Sequence, residues 1–402
     1  MPALSKRCSN ESFRQQFNAP VGNLCSWGFA PSQMTVNSST PKPWCTRSGV
    51  ADMDGEFLKR VREKRGETQE AFAKLVNAKH NRKYDKSRVS RWETGAEPIP
   101  TEVSNVLLLE NMSYDKKDSA TIISVGNRKG GSGKSTISSA LGFTLSKVRR
   151  NDGSTCRVAL IDADSQSNLS LACKVDRTRI AEIDAAEKSF YHVLMGKTKP
   201  EDTAIPTQVP GMDIIPSSVS LAFAERELIL RESYENIPAN FSLRVALNDD
   251  FKRRYDFIII DCGPSLGVTT LNPLCVSSFV LYAVQTESYA VTGIDHLTEI
   301  IDIIRKGAHP GLKVLGLVPT MFDKRNKQDH LSLQEMAEKA TTIRRDAGTV
   351  GVPVFSPIPR STNFANAAAA NEILMNVDVA APGVITFVEI AAALGVRTPL
   401  GE

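Results

Sequence analysis

No run of about 18 apolar residues occurs in this chain of 402 residues, so no helical membrane span is expected. The seven cysteines form no C-x-x-C pair, and a chain this long can bury a core without a disulfide framework. They read as reduced, cytoplasmic thiols. The histidines, His80, His192, His296, His309 and His330, have no metal-ligand spacing. Net charge is only +4, so any electrostatic signal has to lie in its distribution. Residues 1–51, rich in Ser, Asn, Pro and Gln, lack apolar periodicity, and 1–52 is expected to be a disordered leader. Its scattered Lys6, Arg7 and Arg14 make no amphipathic Arg-rich helix of the transit-peptide kind. Met53 opens the first helical pattern and is the alternative start.

What is present centres on 127–136, NRKGGSGKST. A β-rich run at 121–125 precedes it and a helical segment at 137–147 follows, the strand-to-helix context that a phosphate loop requires. Gly130, Gly131 and Gly133 let the backbone turn its N–H groups inward, and the helix N-terminus adds positive partial charge. Lys134 then reaches β- and γ-phosphates as a point charge, Ser135 is placed to ligate Mg²⁺, and Thr136 assists at the α-phosphate. Arg128 stands where the plain G-x-x-x-x-G-K-[ST] pattern has glycine, and a second lysine, Lys129, precedes the double glycine.

Upstream, 57–92 holds twelve Lys and Arg against four acids, a local excess of eight. Thr68 can cap a helix whose Phe72, Leu75 and Val76 share a face, and Val89 and Trp92 share the face of another. The opposite side of the second carries Ser87, Arg88, Ser90 and Arg91. Two such helices on a basic stretch suit DNA, with Ser87, Arg88 and Arg91 at base edges in the major groove and Lys83 and Lys86 on phosphates. The alternative is a solvated charged helix pair. Pro98 and Pro100 end this unit, 103–112 reads as one more helix, and 113–119 reads as a linker able to swing. The domain order is therefore leader 1–52, DNA-binding helices 53–112, linker 113–119 and 120–402.

From 120 onward apolar runs alternate with helical segments, the pattern of an α/β fold with a mainly parallel twisted sheet covered on both faces. Strands are expected at 121–125, 157–161, 212–215, 257–260, 280–284, 314–319 and 352–355. Ligands in such sheets lie beyond the carboxyl ends of the strands. Two of these runs end in aspartates, at Asp162-Ala-Asp164 and at Asp261, which together with the loop suggest a shared site for Mg²⁺ and water. Strand-ending turn formers are the plain alternative.

KGGSGKST resembles the deviant phosphate loop of the ParA/MinD group of dimeric ATPases, and 162–166 and 261–267 resemble that group's DxDPQ and DxPPSLG motifs, with Ser165 and Gly263 each replacing a proline. The likeness continues through 214–231, Gln285-Thr-Glu287, 318–326 and 356–367. It implies an ATPase that is weak alone, with nucleotide held by Lys129, Gly130, Gly131, Ser132, Gly133, Lys134, Ser135 and Thr136, and adenine by Thr320 and Pro359. Catalysis would fall to Lys129, which crosses to the partner subunit, with Lys134, and with Asp164 positioning water; Ser135, Asp162 and Asp261 would serve the metal. Segments TQEAFAKLV and SRVSRWETG resemble a helix-turn-helix of the Cro/lambda repressor type, although 77–86 is longer than that family's turn. The resemblance implies a partition protein that forms an ATP-dependent homodimer, coats the nucleoid through Arg360 with Lys324, Arg325, Lys327, Arg344 and Arg345, for which a solvated face is the plain alternative, answers to a ParB-type partner and represses its own operon. Neither of a nitrogenase iron protein's two cysteine motifs is present around Cys173, Cys262 or Cys275. A nucleotide-sensing transcriptional regulator and a MinD-like positioning ATPase are the rivals; the end of the chain, with the single Arg397, lacks the basic amphipathic tail of the latter.

Overall fold

The computed structural model describes residues 55–400 except 81, 236, 266, 288, 289 and 379; the expected leader and Met53 lie outside the described residues. The chain begins with four helices, α1 (Gly55–Lys64), α2 (Gln69–His80), α3 (Lys86–Glu93) and α4 (Thr101–Glu110). Leu58 and Val61 of α1, Phe72 and Val76 of α2, Val89 and Trp92 of α3, and Val103 and Leu107 of α4 close on one another as a core. Local signals set the ends: the Thr68 hydroxyl accepts the Ala71 N–H (3.1 Å), and the Asp85 carboxylate accepts the Arg88 N–H (2.8 Å). Arg62, nearly buried, donates from Nε to Glu93 Oε1 (2.6 Å), and Gln69 Nε2 donates to Glu93 Oε2 (2.7 Å). Gln69 and Glu93, two of the residues that carry the helix-turn-helix likeness, thus tie α1, α2 and α3 together. The turn is shorter than 77–86 because α2 runs on to His80; the Asn77 side chain closes it, donating to Tyr84 O (2.8 Å) and accepting the Tyr84 N–H (2.7 Å).

Of the swinging linker expected at 113–119, the first two residues are seated in the fold and 115–119 is exposed coil. Ser113–Tyr114 forms a short strand, β1, parallel to β3 (Arg149–Arg150), and Ser113 exchanges both backbone bonds with Arg397, at 3.0 and 2.8 Å. Met112 and Tyr114 carry apolar bodies that enter the main core, where the Tyr114 ring lies 4.8 Å from that of Phe257. Leu108 enters the same core, and Asn105 Nδ2 donates to Ala381 O (3.2 Å). Helix α4 therefore packs on two cores at once.

The main sheet has seven strands in the order β5-β6-β4-β7-β2-β8-β9: β2 (Thr121–Gly126), β4 (Val158–Ala163), β5 (Ile205–Pro206), β6 (Met212–Ile215), β7 (Phe257–Cys262), β8 (Phe279–Gln285) and β9 (Lys313–Thr320). All neighbours are parallel except the edge pair β5 and β6. Side chains alternate across it: Val158, Leu160, Phe257 and Ile259 face one core, Ala159, Ile161, Ile258 and Ile260 the other. Helices cover both faces. Helix α5 (Lys134–Ser146) lies so close to the first that a Cβ on Gly142 would stand 2.8 Å from Leu160 Cδ2. The expected strand at 352–355 makes one parallel bridge, Val354 to Leu317, and extends no further, since Pro353 and Pro357 have no N–H to donate.

Candidate functional site

The chain crosses from β2 to β4 on one side and from β7 to β8 on the other, so the strand order reverses around β2, and the loop between β2 and α5 opens at its carboxyl end. Gly131 (φ +72°) and Gly133 (φ +84°) occupy the left-handed region, which is why the turn takes glycine there. Three braces hold it. The Gln285 amide donates to Gly131 O (2.9 Å), the Thr320 hydroxyl donates to Ser132 O (3.0 Å), and the Asn127 carboxamide spans Ala283 O and the Lys129 N–H. Thr320, expected at the adenine, is buried beneath the loop, while Pro359 sits beside Phe322 on the adjoining segment.

Lys134 is nearly buried and rests its Nζ on the Lys129 carbonyl (3.2 Å). Lys129 itself is half exposed and pairs with Glu287. Ser135 Oγ donates to Asp261 Oδ2 (2.6 Å), and Ser138 Oγ donates to Asp261 Oδ1 (3.0 Å). Asp261 on β7 stands in register with Asp162 on β4, and both are essentially shut off from solvent. Burial, then the charge of Asp162, pushes the Asp261 carboxyl up to about 7, against the serine hydroxyls. Asp162 is pushed up to about 6 by burial, against bonds from the Ser170 hydroxyl (2.6 Å) and N–H (2.8 Å). Asp164, half-buried just past β4, accepts the Gln166 N–H on Oδ1 (3.1 Å), and a Cβ on Gly263 would stand 3.7 Å from the same oxygen.

This arrangement can hold a polyphosphate. Ser132 Oγ is buried without a partner, the loop glycines leave their N–H groups clear, and Lys134 has only a backbone carbonyl to give up. One serine hydroxyl backed by carboxylates suits Mg²⁺, which completes its shell with water and phosphate oxygens, so the residues present fit that ion. Sequence reasoning missed Ser138, Asn127 and the bracing role of Gln285. Ser138, three residues after Ser135 and hence on the same face of α5, was open to it.

Two other surfaces matter. On α3, Lys86, Ser87, Arg88 and Arg91 are exposed, as is Lys83 before it, while Ser90 is half-buried. Glu97 draws both arginines together, accepting from Arg88 Nε (2.8 Å) and Arg91 Nε (3.1 Å). Arg360 is exposed just beyond the carboxyl end of β9, where its N–H donates to Phe322 O; its neighbour Arg325 is spent on Asp323, which it holds down at about 2. Along the turn Val219–Phe223 and the helix Ala224–Glu235, Val219 (71%), Phe223 (65%), Leu230 (50%) and Tyr234 (69%) leave an apolar stripe in solvent. Among the described residues no helix is long and apolar enough to cross a membrane.

Residues 120–314 match the family model described as an AAA domain. The chain is 31% identical to the chromosome partitioning protein ParA of Caulobacter vibrioides over 273 residues, 67% of this chain and 92% of that protein. It is likewise 31% identical to the sporulation initiation inhibitor protein Soj of Bacillus subtilis over 270 residues, 67% of this chain and 96% of that one. Among solved structures, it resembles cobyrinic acid a,c-diamide synthase from Mycobacterium smegmatis with bound ADP and magnesium (TM-score 0.53, 29% identity, 68% of this chain and 94% of the other). Apo McdA of Cyanothece shares the fold (TM-score 0.55, 22% identity, 69% and 100%).

Proposed function

The chain belongs to the ParA family of partitioning ATPases, and from that premise we propose that it hydrolyses ATP with Mg²⁺ in a nucleotide-sharing homodimer that moves DNA. The observation that carries this reading is the bond from Ser135, next to Lys134 at the start of α5, to Asp261, which stands in register with Asp162 at the carboxyl ends of β7 and β4. Lys134 leaves the Lys129 carbonyl for the β- and γ-phosphates, and the Ser132 hydroxyl and the loop N–H groups complete the cradle around Gly130, Gly131, Gly133 and Thr136. Mg²⁺, when bound, neutralises charge on the phosphate oxygens. Ser135 turns from Asp261 to serve it, with Asp162 and Asp261 behind. Asp164 orients the attacking water, and Lys129 of each subunit stabilises charge on the nucleotide of the other. Thr320, bracing the loop from beneath, and Pro359, paired with Phe322 just beyond β9, are the candidates for the adenine side.

The apolar stripe at Val219, Phe223, Leu230 and Tyr234 supports dimerisation, because a lone subunit leaves it in water. The exposed basic face of α3, with Lys83, Lys86, Ser87, Arg88 and Arg91, supports operator binding by a helix-turn-helix and autoregulation; Arg360 is the candidate for sequence-independent contacts on the nucleoid. A ParB-type partner would accelerate a turnover that is slow in the isolated cytoplasmic protein. The test is paired. Lys134→Ala should abolish ATP turnover, and Asp164→Ala should abolish turnover while retaining nucleotide binding. Turnover by either variant at the wild-type rate would overturn the corresponding assignment.

A further inference from the structure

In the single subunit Lys129 is tied on every side. Its N–H donates to Asn127 Oδ1 (3.1 Å), its carbonyl accepts Lys134 Nζ (3.2 Å), and its ammonium pairs with Glu287 Oε2. The segment that leads into Glu287 is braced up to Glu287 itself. Gln285 is bonded to the phosphate loop, the Thr286 N–H donates to Thr320 O (3.1 Å) and its hydroxyl to Asp329 Oδ2 (3.1 Å), and the Ser332 hydroxyl donates to Glu287 O (3.2 Å). The two side chains that meet are themselves half exposed, 52% for Lys129 and 46% for Glu287. A carboxylate on a fixed backbone therefore receives a cation on a flexible stem, at the mouth of the loop.

We propose that Glu287 is a positioning residue that parks Lys129 inside its own subunit, so that this pair has to open before Lys129 can serve the partner subunit's triphosphate; the proposal rests on the shared-nucleotide reading above. A lysine ammonium is a compact point charge, and it cannot satisfy the carboxylate and a phosphate in the other subunit at once. Parking also draws Lys129 off the phosphate site that Lys134 of the same subunit must fill. Because the pair is exposed, it is weak and screened by salt. It delays the exchange without forbidding it.

The experiment uses the full chain and compares wild type with Glu287→Gln and Glu287→Ala. Without nucleotide, acetylation of the Lys129 amine by limiting acetic anhydride, mapped by mass spectrometry, should run about two- to five-fold faster in both variants, the factor an exposed ion pair supports. With a non-hydrolysable ATP analogue and Mg²⁺, dimer formation followed by light scattering should accelerate by a similar factor. Raising NaCl from about 0.05 to about 0.5 M should bring wild type toward the variants. Equal acetylation, or faster acetylation with an unchanged dimerisation rate, overturns the proposal. Dimerisation of Lys129→Ala at the wild-type rate would instead overturn the shared-nucleotide reading, and the acetylation contrast, measured without nucleotide, tells the two failures apart.

Discussion

Replacing Asp261 by Asn should stabilise the nucleotide-free chain at alkaline pH while removing turnover. Asp261 is 1% exposed and Asp162 beside it 0% exposed; burial, then the charge of Asp162, pushes the Asp261 carboxyl up to about 7, and burial with the charge of Asp164 pushes Asp162 up to about 6. A carboxyl whose folded value lies above its unfolded value favours folding when protonated. Its contribution is fully present below about pH 4 and is lost as the pH rises through about 7. A gap of about three units corresponds to roughly 4 kcal/mol for one isolated group. The two carboxyls share that cost, and Asn forfeits a charge-assisted bond from Ser135 or Ser138 worth about 1.5–3 kcal/mol. The expected net gain is about 1–2 kcal/mol, a few degrees in Tm for a chain of this size. Calorimetric melting of both proteins without nucleotide, from about pH 5.5 to about pH 8.5, should show the difference widening as pH rises. A difference that is flat, or a variant that melts lower at the alkaline end, would refute the reasoning. Asp261 would then sit ionised in the fold at little cost.

Three further substitutions test the architecture. Glu93→Ala takes from the nearly buried Arg62 its closest carboxylate and from Gln69 its acceptor, leaving Arg62 with Glu67 O and the exposed Glu63, and should cost about 1–3 kcal/mol, read as loss of helical signal at lower temperature. Gly142→Ala drives a methyl to 2.8 Å from Leu160 Cδ2 and 3.0 Å from Met212 Sδ, and should cost about 1–3 kcal/mol in chemical denaturation. Tyr114→Ala should cost about 3–5 kcal/mol in the same assay, because the ring is buried against Phe257. A linker residue at that position would cost almost nothing.

The phosphate loop, the strand ends at Asp162 and Asp261 and the buried faces of α2 and α3 were legible because each is a local pattern. A glycine run, an apolar run ending in acid and a 3.6-residue spacing all declare themselves within a few residues. The seating of 113–114 was not legible. A strand of two residues has no periodicity, and its partners, Arg149–Arg150 and Arg397, lie far away in sequence. The polar run after Tyr114 read as linker for the same reason. The strand at 352–355 failed differently: its apolar residues do pack, but proline removes the donors that would prolong the ladder. Glu287 was visible only as part of a motif, since an ion pair with Lys129 depends on β8 and β2 lying side by side.

The packing of α4 constrains how the two ends of the molecule can work together. Val103 and Leu107 close the core that carries α3, whereas Leu108, Met112 and Tyr114 enter the core that contains Ile137 and Phe143 of α5, the helix that starts at Lys134. The helix that would read DNA is thus seated on the body that would bind nucleotide, with no free joint between Glu110 and Asp115: Ser113 is bonded to Arg397, the Arg149 N–H donates to Met112 O, and Asp115 is paired with Arg397 and Asn151. In a dimer closed around nucleotide, the distance between the two copies of α3 would then be set by the ATPase interface instead of by chain length. Half-site separation on an operator would follow that distance. Loss of the interface should therefore weaken binding to a two-site operator far more than binding to a single half-site, and a flexible tether could not produce that difference beyond the effective concentration its length supplies.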